Sequence, residues 1–536
     1  MYIPAAFRYQ SSKGFAAISI FHLIFGIYHC QKLDQPMLND QAPPIKSVRA
    51  RSVLFWVGLI LVSGAPRIIG AFLLPNAFGD AYAYLEAIEA MRSKMADGTF
   101  AVKDLHGFWF PMYQVTCAFA SFLFGHTFYV AKIVSSLCGV GVCLLVYQIS
   151  LLLTNHRSLS LAAFALVALN PLHILYSSSS LTDIPHSFLV MASLYFALEK
   201  RWKTAAVFAA AAGFMRIESW MLIALLPALQ FLFQRRMSLA GLGIMIISPL
   251  FWFYICWKAT GSGMAYFEAR SRYIAEYTAA NPAVTTFSSQ RLLLDRYRLL
   301  VSTNFAVLCS CLAAAWMIVR RMIAGSWQKF GLASLEYSGV IATDVFFLAN
   351  LGFLLLAYFT GSQPDIWSRY GLLFFALGLP VTAWTFLTVN GRLSKIILAT
   401  AILAVFAFHT RDQVREVVYC VSEESAKTVV AAYLKEIHRN DPGLRIYCDE
   451  GNTRSLTGLP PDRFLTAYNL PSDPDALLKR FDEAGVKYVV CNNWETNTLT
   501  RLFPEVREGK GNGVFRPVTE AASKYSGQRF WVYRFR

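Results

Sequence analysis

Repeated apolar segments are the feature that most restricts the folds open to this chain. The core of a bilayer takes about 20 residues of helix to cross, and about eleven apolar runs here approach or reach that length. Only 15% of the residues are charged, whereas a soluble domain has about 25%. The sequence therefore predicts a polytopic α-helical membrane protein with about eleven transmembrane helices.

The predicted spans are apolar runs bounded by polar or basic residues, at 53–74, 130–153, 159–176, 184–198, 204–215, 217–233, 238–257, 299–319, 340–359, 371–389 and 396–408. One further run, 111–125, is short and is bounded by Pro111 and Gly125. Its length favours a helix that lies on the membrane surface.

Basic residues predict which ends of the spans face the cytoplasm, because short cytoplasmic loops are enriched in lysine and arginine. One alternation of the spans places every basic cluster on that side, at 157, 200–203, 235–236, 320–321 and 392–395. The loops 75–129 and 258–298, and all residues after about His409, then face outward. The same bias accounts for the net charge of +16, so no nucleic acid partner is expected.

The C-terminal residues differ in composition from the spans and predict a separate domain. Strand-like runs occur at 444–449, 487–492 and 529–535, with a helix-like run at 474–485, which favours a small α/β domain. The predicted division is an N-terminal extension of unassigned role at 1–45, a transmembrane domain at 46–410 and an extracytoplasmic α/β domain at 411–536.

Charged and polar residues from distant segments fall on the predicted outer face. They are Asp80 and Tyr84 in NAFGDAYAYLEAIEAM, His106 before FWFP, Asp183 in SSSSLTDIPHSF, Arg216 and Glu218 in GFMRIESW, Arg272 in EARSRYIAEY, and Arg369 and Tyr370 in SQPDIWSRYGLLFF. Each also has a structural interpretation: Asp183 as a helix cap, Arg369 as a contact to headgroups, Arg216 and Glu218 as an ion pair, and His106 as a packed side chain.

Carboxylates and arginines on one face are suited to a particular chemistry. A carboxylate can deprotonate an acceptor hydroxyl or bind a metal, and an arginine can hold a phosphate with two hydrogen bonds. The set therefore predicts transfer from a lipid-phosphate donor to an acceptor.

Five segments between residues 52 and 390 resemble, in order, the GT-C class of glycosyltransferases that use polyprenyl-phosphate sugars. They are FGDAYAYLEA, HGFWFPMYQ, SSSSLTDIPHSFLVMASLYFALEKR, GFMRIESWMLIALLP and SRYGLLFFALGLP. More narrowly, they resemble the superfamily of protein mannosyltransferases and aminoarabinose transferases, glycosyltransferase family 39 and its bacterial relatives.

The resemblance implies a GT-C fold with roles for particular residues. Asp80 would be the catalytic acid or base, and Asp183 would contact a metal or the acceptor. Arginines of the outer face (Arg216, Arg272 and Arg369) would hold the donor phosphate, with Tyr84, His106, Glu218 and Tyr370 as further substrate contacts. Many relatives have Asp-Glu where this chain has Asp80-Ala81, so a divalent metal stays open, with Asp80 and Asp183 as its candidate ligands.

The expected function is transfer of a hexosyl or pentosyl group from a polyprenyl-phosphate donor to a protein, lipid or polysaccharide acceptor. It would take place on the extracytoplasmic side of the inner or plasma membrane. The main alternative is a transporter or flippase of lipid-linked saccharides, which would place polar residues near the bilayer midplane and often has repeated halves. A third is a structural or polymer-assembly protein whose outer tail binds a partner.

Overall fold

The computed structural model describes residues 45–77, 79–280, 289–323, 335–363, 366–448, 450–466, 470–471, 473–493 and 498–536. The predicted extension 1–45, apart from its last residue, lies outside these ranges, as do Asp365 and residues 281–288 of the predicted loop. Two compact units divide the chain after Val62. The described part of the first unit, 45–62, is helical, and the second unit begins at Ser63.

Helices account for most of the described chain up to residue 440. They are α1 (Ile45–Leu73), α2 (Asp80–Ala96), α3 (Met112–Phe124), α4 (Thr127–Thr154), α5 (Arg157–Ala168), α6 (Pro171–Ser177), α7 (Asp183–Leu198), α8 (Trp202–Gly213), α9 (Leu222–Gln234), α10 (Leu239–Thr260), α11 (Ala265–Ala280), α12 (Ser289–Thr303), α13 (Phe305–Ile323), α14 (Leu335–Phe359), α15 (Gly371–Thr388) and α16 (Arg392–Asn440). Short 3-10 helices lie at Val102–Leu105, Ile217–Met221 and Ser368–Tyr370.

Seven helices in the described ranges are long and apolar enough to cross a membrane, or up to nine if each of two bent pairs is one span. The chain is therefore an integral membrane protein. The remaining two predicted spans coincide with α7 and α8, which have 16 and 12 residues. Since these are shorter than a bilayer core requires, the number of eleven spans stays a prediction.

Two predicted spans, 159–176 and 299–319, are wrong as single continuous helices. The first bends by 62° between α5 and α6, and the second by 81° between α12 and α13. At the first bend, the Asn170 side chain accepts a hydrogen bond from the His173 N–H, and Pro171 begins the new helix, which is the usual sequence of a helix start. At the second, Asn304 has a positive φ of 67°, which ends α12.

Two buried cations bind the ends of helices inside the bundle. The Arg67 guanidinium donates to Ala168 O at 3.0 Å and Val167 O at 3.2 Å, at the end of α5. The Lys132 ammonium donates to Leu74 O at 2.6 Å, just after α1. Carbonyl groups at a helix C-terminus carry partial negative charge and lack intrahelical partners. Both cations therefore have a structural explanation.

The C-terminal residues form a mixed five-stranded sheet, as the α/β prediction requires. Its strands are β1 (Arg445–Cys448), β2 (Phe464–Leu465), β3 (Val486–Asn492), β4 (Phe515–Ala522) and β5 (Arg529–Phe535), in the order β2-β1-β3-β5-β4. β1 is parallel to β2 and β3, while β5 is antiparallel to β3 and β4. Four helices accompany the sheet: α17 (Gly451–Thr457), α18 (Pro474–Ala484), α19 (Thr498–Leu502) and α20 (Pro504–Arg507).

Both faces of the sheet are covered by apolar side chains. Alternate residues of β5 point to opposite faces, so Trp531 and Tyr533 pack with Phe481 of α18, while Val532 packs with Leu434 of α16. The last turns of α16 therefore belong to the core of the C-terminal domain. The predicted boundary after residue 410 falls inside α16, which continues without a break to Asn440.

Candidate active site

The loop before Asp80 is hydrogen-bonded to the four consecutive serines that follow α6. The Ala77 N–H donates to Ser179 Oγ at 2.9 Å, and the Ser180 N–H donates to Asn76 Oδ1 at 2.8 Å. All four serines are fully buried, and buried polar groups need such partners. These bonds bring the start of α2 next to the segment that leads into α7.

Asp80 is the first residue of α2, and its carboxylate pairs with an arginine from a distant part of the chain. Its Oδ2 lies 2.9 Å from Arg369 Nη1. Arg369 belongs to the short 3-10 helix that precedes α15. The Asp80 side chain is 33% exposed and that of Arg369 is 11% exposed, so the pair lies at the edge of a pocket with the acid facing outward.

A second cluster joins Asp183, Arg216 and Glu218. Arg216 Nη1 lies 2.8 Å from Asp183 Oδ1, and its Nη2 lies 2.9 Å from Glu218 Oε1. Burial opposes the charge of the guanidinium, but the two carboxylates outweigh burial and hold the pKa of Arg216 well above its ordinary value. Arg216 is therefore a permanent cation between two acids.

Tyr370 connects the two clusters. The guanidinium carbon of Arg369 lies 5.3 Å from the centroid of its ring, and that of Arg216 lies 5.4 Å from it. Both distances are in the range of cation–π contacts. Three acids and two arginines from four separate segments thus form one continuous charged site.

A pocket opens beside this site, with about 420 Å³ of empty space including its mouth. Its polar wall includes Asp183, Arg216 and Arg369, and its apolar wall includes Leu373 and Phe374. Asp183 Oδ2 is buried and has no hydrogen-bond partner among the described residues. An unsatisfied buried acceptor is costly, so this oxygen is available to a donor group of a bound molecule.

Tyr84 lies one turn after Asp80 on α2, as the sequence predicts if that loop is helical. Its hydroxyl is 3.3 Å from Thr182 Oγ1, and its ring packs against Trp109 and Tyr113. Burial raises the pKa of Tyr84 well above its ordinary value. The phenol therefore stays protonated and acts as a contact between α2 and the start of α7.

Arg272 is exposed on α11, and no described contact links it to the charged site; its proposed phosphate role stays a prediction. Arg270, on the same helix, is closer to the site. It donates to Gln363 Oε1 at 3.4 Å, and Gln363 Nε2 donates to the Tyr370 hydroxyl at 3.0 Å. Arg270 also donates to the Tyr266 hydroxyl at 3.3 Å, one turn earlier on the same helix. The segment EARSRYIAEY, which predicted an arginine at the outer face, contains both Arg270 and Arg272.

His106 lies in a packed aromatic region, apart from the two acids. Its ring stacks on Trp252 at 6.2 Å between centroids, and Trp252 in turn stacks on Phe110 at 4.5 Å. Burial lowers the pKa of His106. These contacts agree with the interpretation of His106 as a packed side chain.

The arrangement does not fit a metal held by Asp80 and Asp183. Each of these carboxylates faces a guanidinium that already offsets its charge. In the part of the chain that the structure describes, no three His, Cys, Asp or Glu side chains are grouped as metal ligands. Asp80 and Asp183 are therefore explained as the partners of Arg369 and Arg216.

The long helix α16 contributes contacts that the sequence analysis did not single out. Tyr176 donates from its hydroxyl to Glu416 Oε1 at 3.0 Å, and Tyr82 donates to Glu424. Both glutamates lie between the predicted span 396–408 and the C-terminal strands, in a part of the chain where the sequence predicted no site; the continuous helix Arg392–Asn440 places them beside α2 and α6.

No protein-family model matches the chain, and no curated protein matches its sequence. Among solved structures, the chain is similar to ArnT from Cupriavidus metallidurans in the apo state, with a TM-score of 0.51 and 11% identity over 91% of this chain and 98% of that one. The same protein bound to undecaprenyl phosphate gives a TM-score of 0.50 and 11% identity over 90% and 98%. The archaeal oligosaccharyltransferase AglB from Archaeoglobus fulgidus, in complex with an inhibitory peptide and a dolichol-phosphate, gives 0.47 and 10% identity over 82% and 69%. The similarity to ArnT extends over nearly the whole of both chains, and the fold is the GT-C fold that the motifs predict.

Proposed function

We propose that this protein is a membrane glycosyltransferase. It transfers a hexosyl or pentosyl group from a polyprenyl-phosphate donor to a protein, lipid or polysaccharide acceptor on the extracytoplasmic side. The observation that carries the proposal is the single charged site in which Asp80 pairs with Arg369 next to Asp183 and Arg216. The fold supports it, since a structure of ArnT, which has the same fold, is bound to undecaprenyl phosphate.

Each charged residue of the site has its own role in the proposed reaction. The acceptor oxygen forms a bond to the anomeric carbon of the sugar while the bond from that carbon to the phosphate oxygen breaks. The acceptor proton moves to Asp80, which acts as general base, and the electron pair of the broken bond stays on the leaving polyprenyl phosphate. Arg369 and Arg216 stabilise the phosphate charge, because a guanidinium matches two phosphate oxygens at once.

Donor binding would also release the base. Without a donor, Arg369 Nη1 forms an ion pair with Asp80 Oδ2. This is the oxygen that would take up the acceptor proton. The donor phosphate is a diester with one negative charge, as a carboxylate has, and its two free oxygens compete for the same guanidinium through a bidentate contact. Arg369 would then turn towards the phosphate and leave Asp80 free for the acceptor, so proton transfer follows donor binding.

The pocket beside the site suits the sugar. Asp183 Oδ2 lacks a hydrogen-bond partner among the described residues and would accept a hydrogen bond from a sugar hydroxyl or amine. The apolar wall that includes Leu373 and Phe374 would pack against the C–H face of the ring. This combination of a few polar groups with an apolar wall is typical of small-molecule sites.

The Asp80→Asn variant tests the proposal, because asparagine keeps the shape of the side chain and cannot take up the proton. We expect glycosylated products to fall by roughly 10²–10⁴-fold, while the purified chain in nanodiscs still binds undecaprenyl phosphate. The products are measured by mass spectrometry of envelope glycans, lipids and proteins from cells with and without each variant.

Asp97→Asn is the matched control, since Asp97 is an exposed acid that ends the same helix. It should leave the products unchanged. Unchanged products in Asp80→Asn would overturn the assignment of the base. Translocation of a lipid-linked saccharide without any transferred sugar would favour the transporter alternative.

A further inference from the structure

Helix α17 of the C-terminal domain lies along α2, the helix that begins with Asp80. A methyl group on Gly79 would lie 3.5 Å from Asn452 Oδ1, and one on Gly451 would lie 4.0 Å from Tyr82 Cβ. One turn further along α2, Glu86 contacts Arg454. The contact therefore extends over two turns of α2, from Gly79 to Glu86.

The residues of α2 that contact α17 lie on the opposite side from Asp80 and Tyr84, which contact the helix bundle. At 3.6 residues per turn, the face made by positions 79, 82 and 86 lies roughly 150° from the face made by Asp80 and Tyr84. Asp80 pairs with Arg369, and Tyr84 contacts Thr182. α2 is thus held between the helix bundle on one side and the C-terminal domain on the other.

Arg454 is held by both elements that it joins. Its Nη2 lies 3.2 Å from Glu86 Oε1 and its Nε lies 3.3 Å from the same oxygen. Its Nη1 donates to Cys448 O at 2.9 Å, at the end of β1. The guanidinium therefore connects a strand of the sheet to the side of α2 that lies opposite Asp80 and Tyr84.

Helix α16 reinforces this connection from the membrane side. Glu424 accepts a hydrogen bond from the Tyr82 hydroxyl. One turn later, Lys427 lies 3.0 Å from Glu450 Oε1 and also pairs with Glu423. Glu450 is the residue immediately before α17, so α16 holds both α2 and the start of α17.

We propose that Arg454 and Glu86 are positioning residues, through which the C-terminal domain holds α2 in the orientation that keeps Asp80 paired with Arg369, a residue that lines the pocket. The proposal rests on the proposed function, in which Asp80 is the general base. It gives the C-terminal domain a part in catalysis although none of its residues touches the reacting atoms.

Because the ion pair of Arg454 and Glu86 is partly exposed, a positioning role can be distinguished from a purely structural one. The Glu86 side chain is 40% exposed and that of Arg454 is 16% exposed, so water and salt reach the acid and reduce what the ion pair contributes to stability. A displacement of about 1 Å in a catalytic group, however, can lower the rate roughly 100-fold. Loss of the pair should therefore change turnover far more than it changes folding.

The test compares Arg454→Met with a charge exchange, Glu86→Arg combined with Arg454→Glu, in the full chain. We expect Arg454→Met to lower glycosylated products at least about 10-fold, with undecaprenyl phosphate binding in nanodiscs within about twofold of the original. The charge exchange restores the ion pair but not the hydrogen bond to the Cys448 carbonyl, so it should restore the products in part. Hydrogen–deuterium exchange gives an independent measurement, and the backbone of residues 80–96 should exchange faster in Arg454→Met and return towards normal in the charge exchange.

The control is Arg536→Met, which removes an exposed ion pair to Asp482 elsewhere in the same domain, at 3.0 Å. It should change neither products nor exchange in α2. If Arg454→Met leaves both unchanged while Asp80→Asn abolishes the products, the positioning role is overturned and the proposed function stands. If Asp80→Asn retains its products, the assignment of Asp80 as the base fails; if the original chain transfers no sugar, the proposed function fails. In both cases exchange in α2 alone still decides whether Arg454 holds the helix.

Discussion

Tyr84 is the residue that most directly tests whether Asp80 is the only proton acceptor on α2. Its hydroxyl lies on the same face as Asp80 and contacts Thr182, yet burial raises the pKa of Tyr84 above its ordinary value. We expect Tyr84→Phe to retain transfer with an unchanged pH–rate profile, because the phenol never ionises in the working range. The free energy of unfolding should fall by about 1 kcal/mol for the lost hydrogen bond.

Tyr84→Ala is the companion variant, because it also removes the ring that packs on Trp109 and Tyr113. Truncation of a buried aromatic side chain costs roughly 3–5 kcal/mol, so thermal unfolding in detergent should show a much larger loss than in Tyr84→Phe. Complete loss of transfer in a stable Tyr84→Phe protein would instead assign the proton transfer to the phenol.

At the scale of elements, the contact between α12 and the start of α15 sets the position of Arg369. A methyl group on Gly371 would lie 2.8 Å from the Thr303 backbone nitrogen and would also collide with the Ser302 side chain. We expect Gly371→Ala to push the 3-10 helix Ser368–Tyr370 away from α12 and to lower both stability and transfer. Thermal unfolding and product analysis measure the two effects.

Gly352→Ala is the matched control for this element, since Gly352 also lies within an apolar helix and a methyl group there meets nothing within 4 Å. Because alanine favours helix over glycine by about 1 kcal/mol, this variant should be as stable as the original chain and fully active. Equal behaviour of the two variants would contradict a tight contact at Gly371.

The sequence predicts an element well when the element carries its own continuous apolar pattern. β5 has the continuous run RFWVYRF and was predicted at its observed bounds, 529–535. β4 was missed because it is an edge strand with two buried side chains, Phe515 and Ala521, and has a register shift next to Pro517, so its pattern is weak. The bends after α5 and α12 were missed because a hydropathy pattern reports length and not direction.

The site was predictable as a set of residue types but not as a set of pairs. The sequence predicted four charged residues of the site, Asp80, Asp183, Arg216 and Arg369. Charged side chains near a membrane cost free energy and are usually present for a functional reason. Their partners depend on how distant segments pack, as in the sharing of Tyr370 by two arginines. The contact of Arg454 with Glu86 was not predicted for the same reason: Glu86 was visible as an acid of the first outer loop, but nothing local marks Arg454 as its partner.

At the scale of the whole molecule, α16 joins the membrane region to the C-terminal domain without a flexible linker. Its 49 residues make a helix about 74 Å long, more than twice the thickness of a bilayer core of about 30 Å. The first part carries the apolar run, and the last part packs Val430 and Leu434 into the core of the domain. The domain therefore has a defined place next to α2, and the side of the membrane that it faces is also the side of the site.

The orientation of the whole molecule can be tested with two single cysteines added to the full chain. Positive residues at 235–236 predict that Met237, which is 54% exposed, faces the cytoplasm, whereas Tyr525, 71% exposed on the C-terminal domain, faces outward. In intact cells, a membrane-impermeant maleimide should label Tyr525→Cys and leave Met237→Cys unlabelled, because the bilayer separates the two sites. After the cells are permeabilised, Met237→Cys should be labelled as well. Labelling of the original chain gives the background that comes from its own cysteines. Labelling of Met237→Cys with protection of Tyr525→Cys in intact cells would reverse the orientation, and would place Asp80 and its acceptor on the cytoplasmic side.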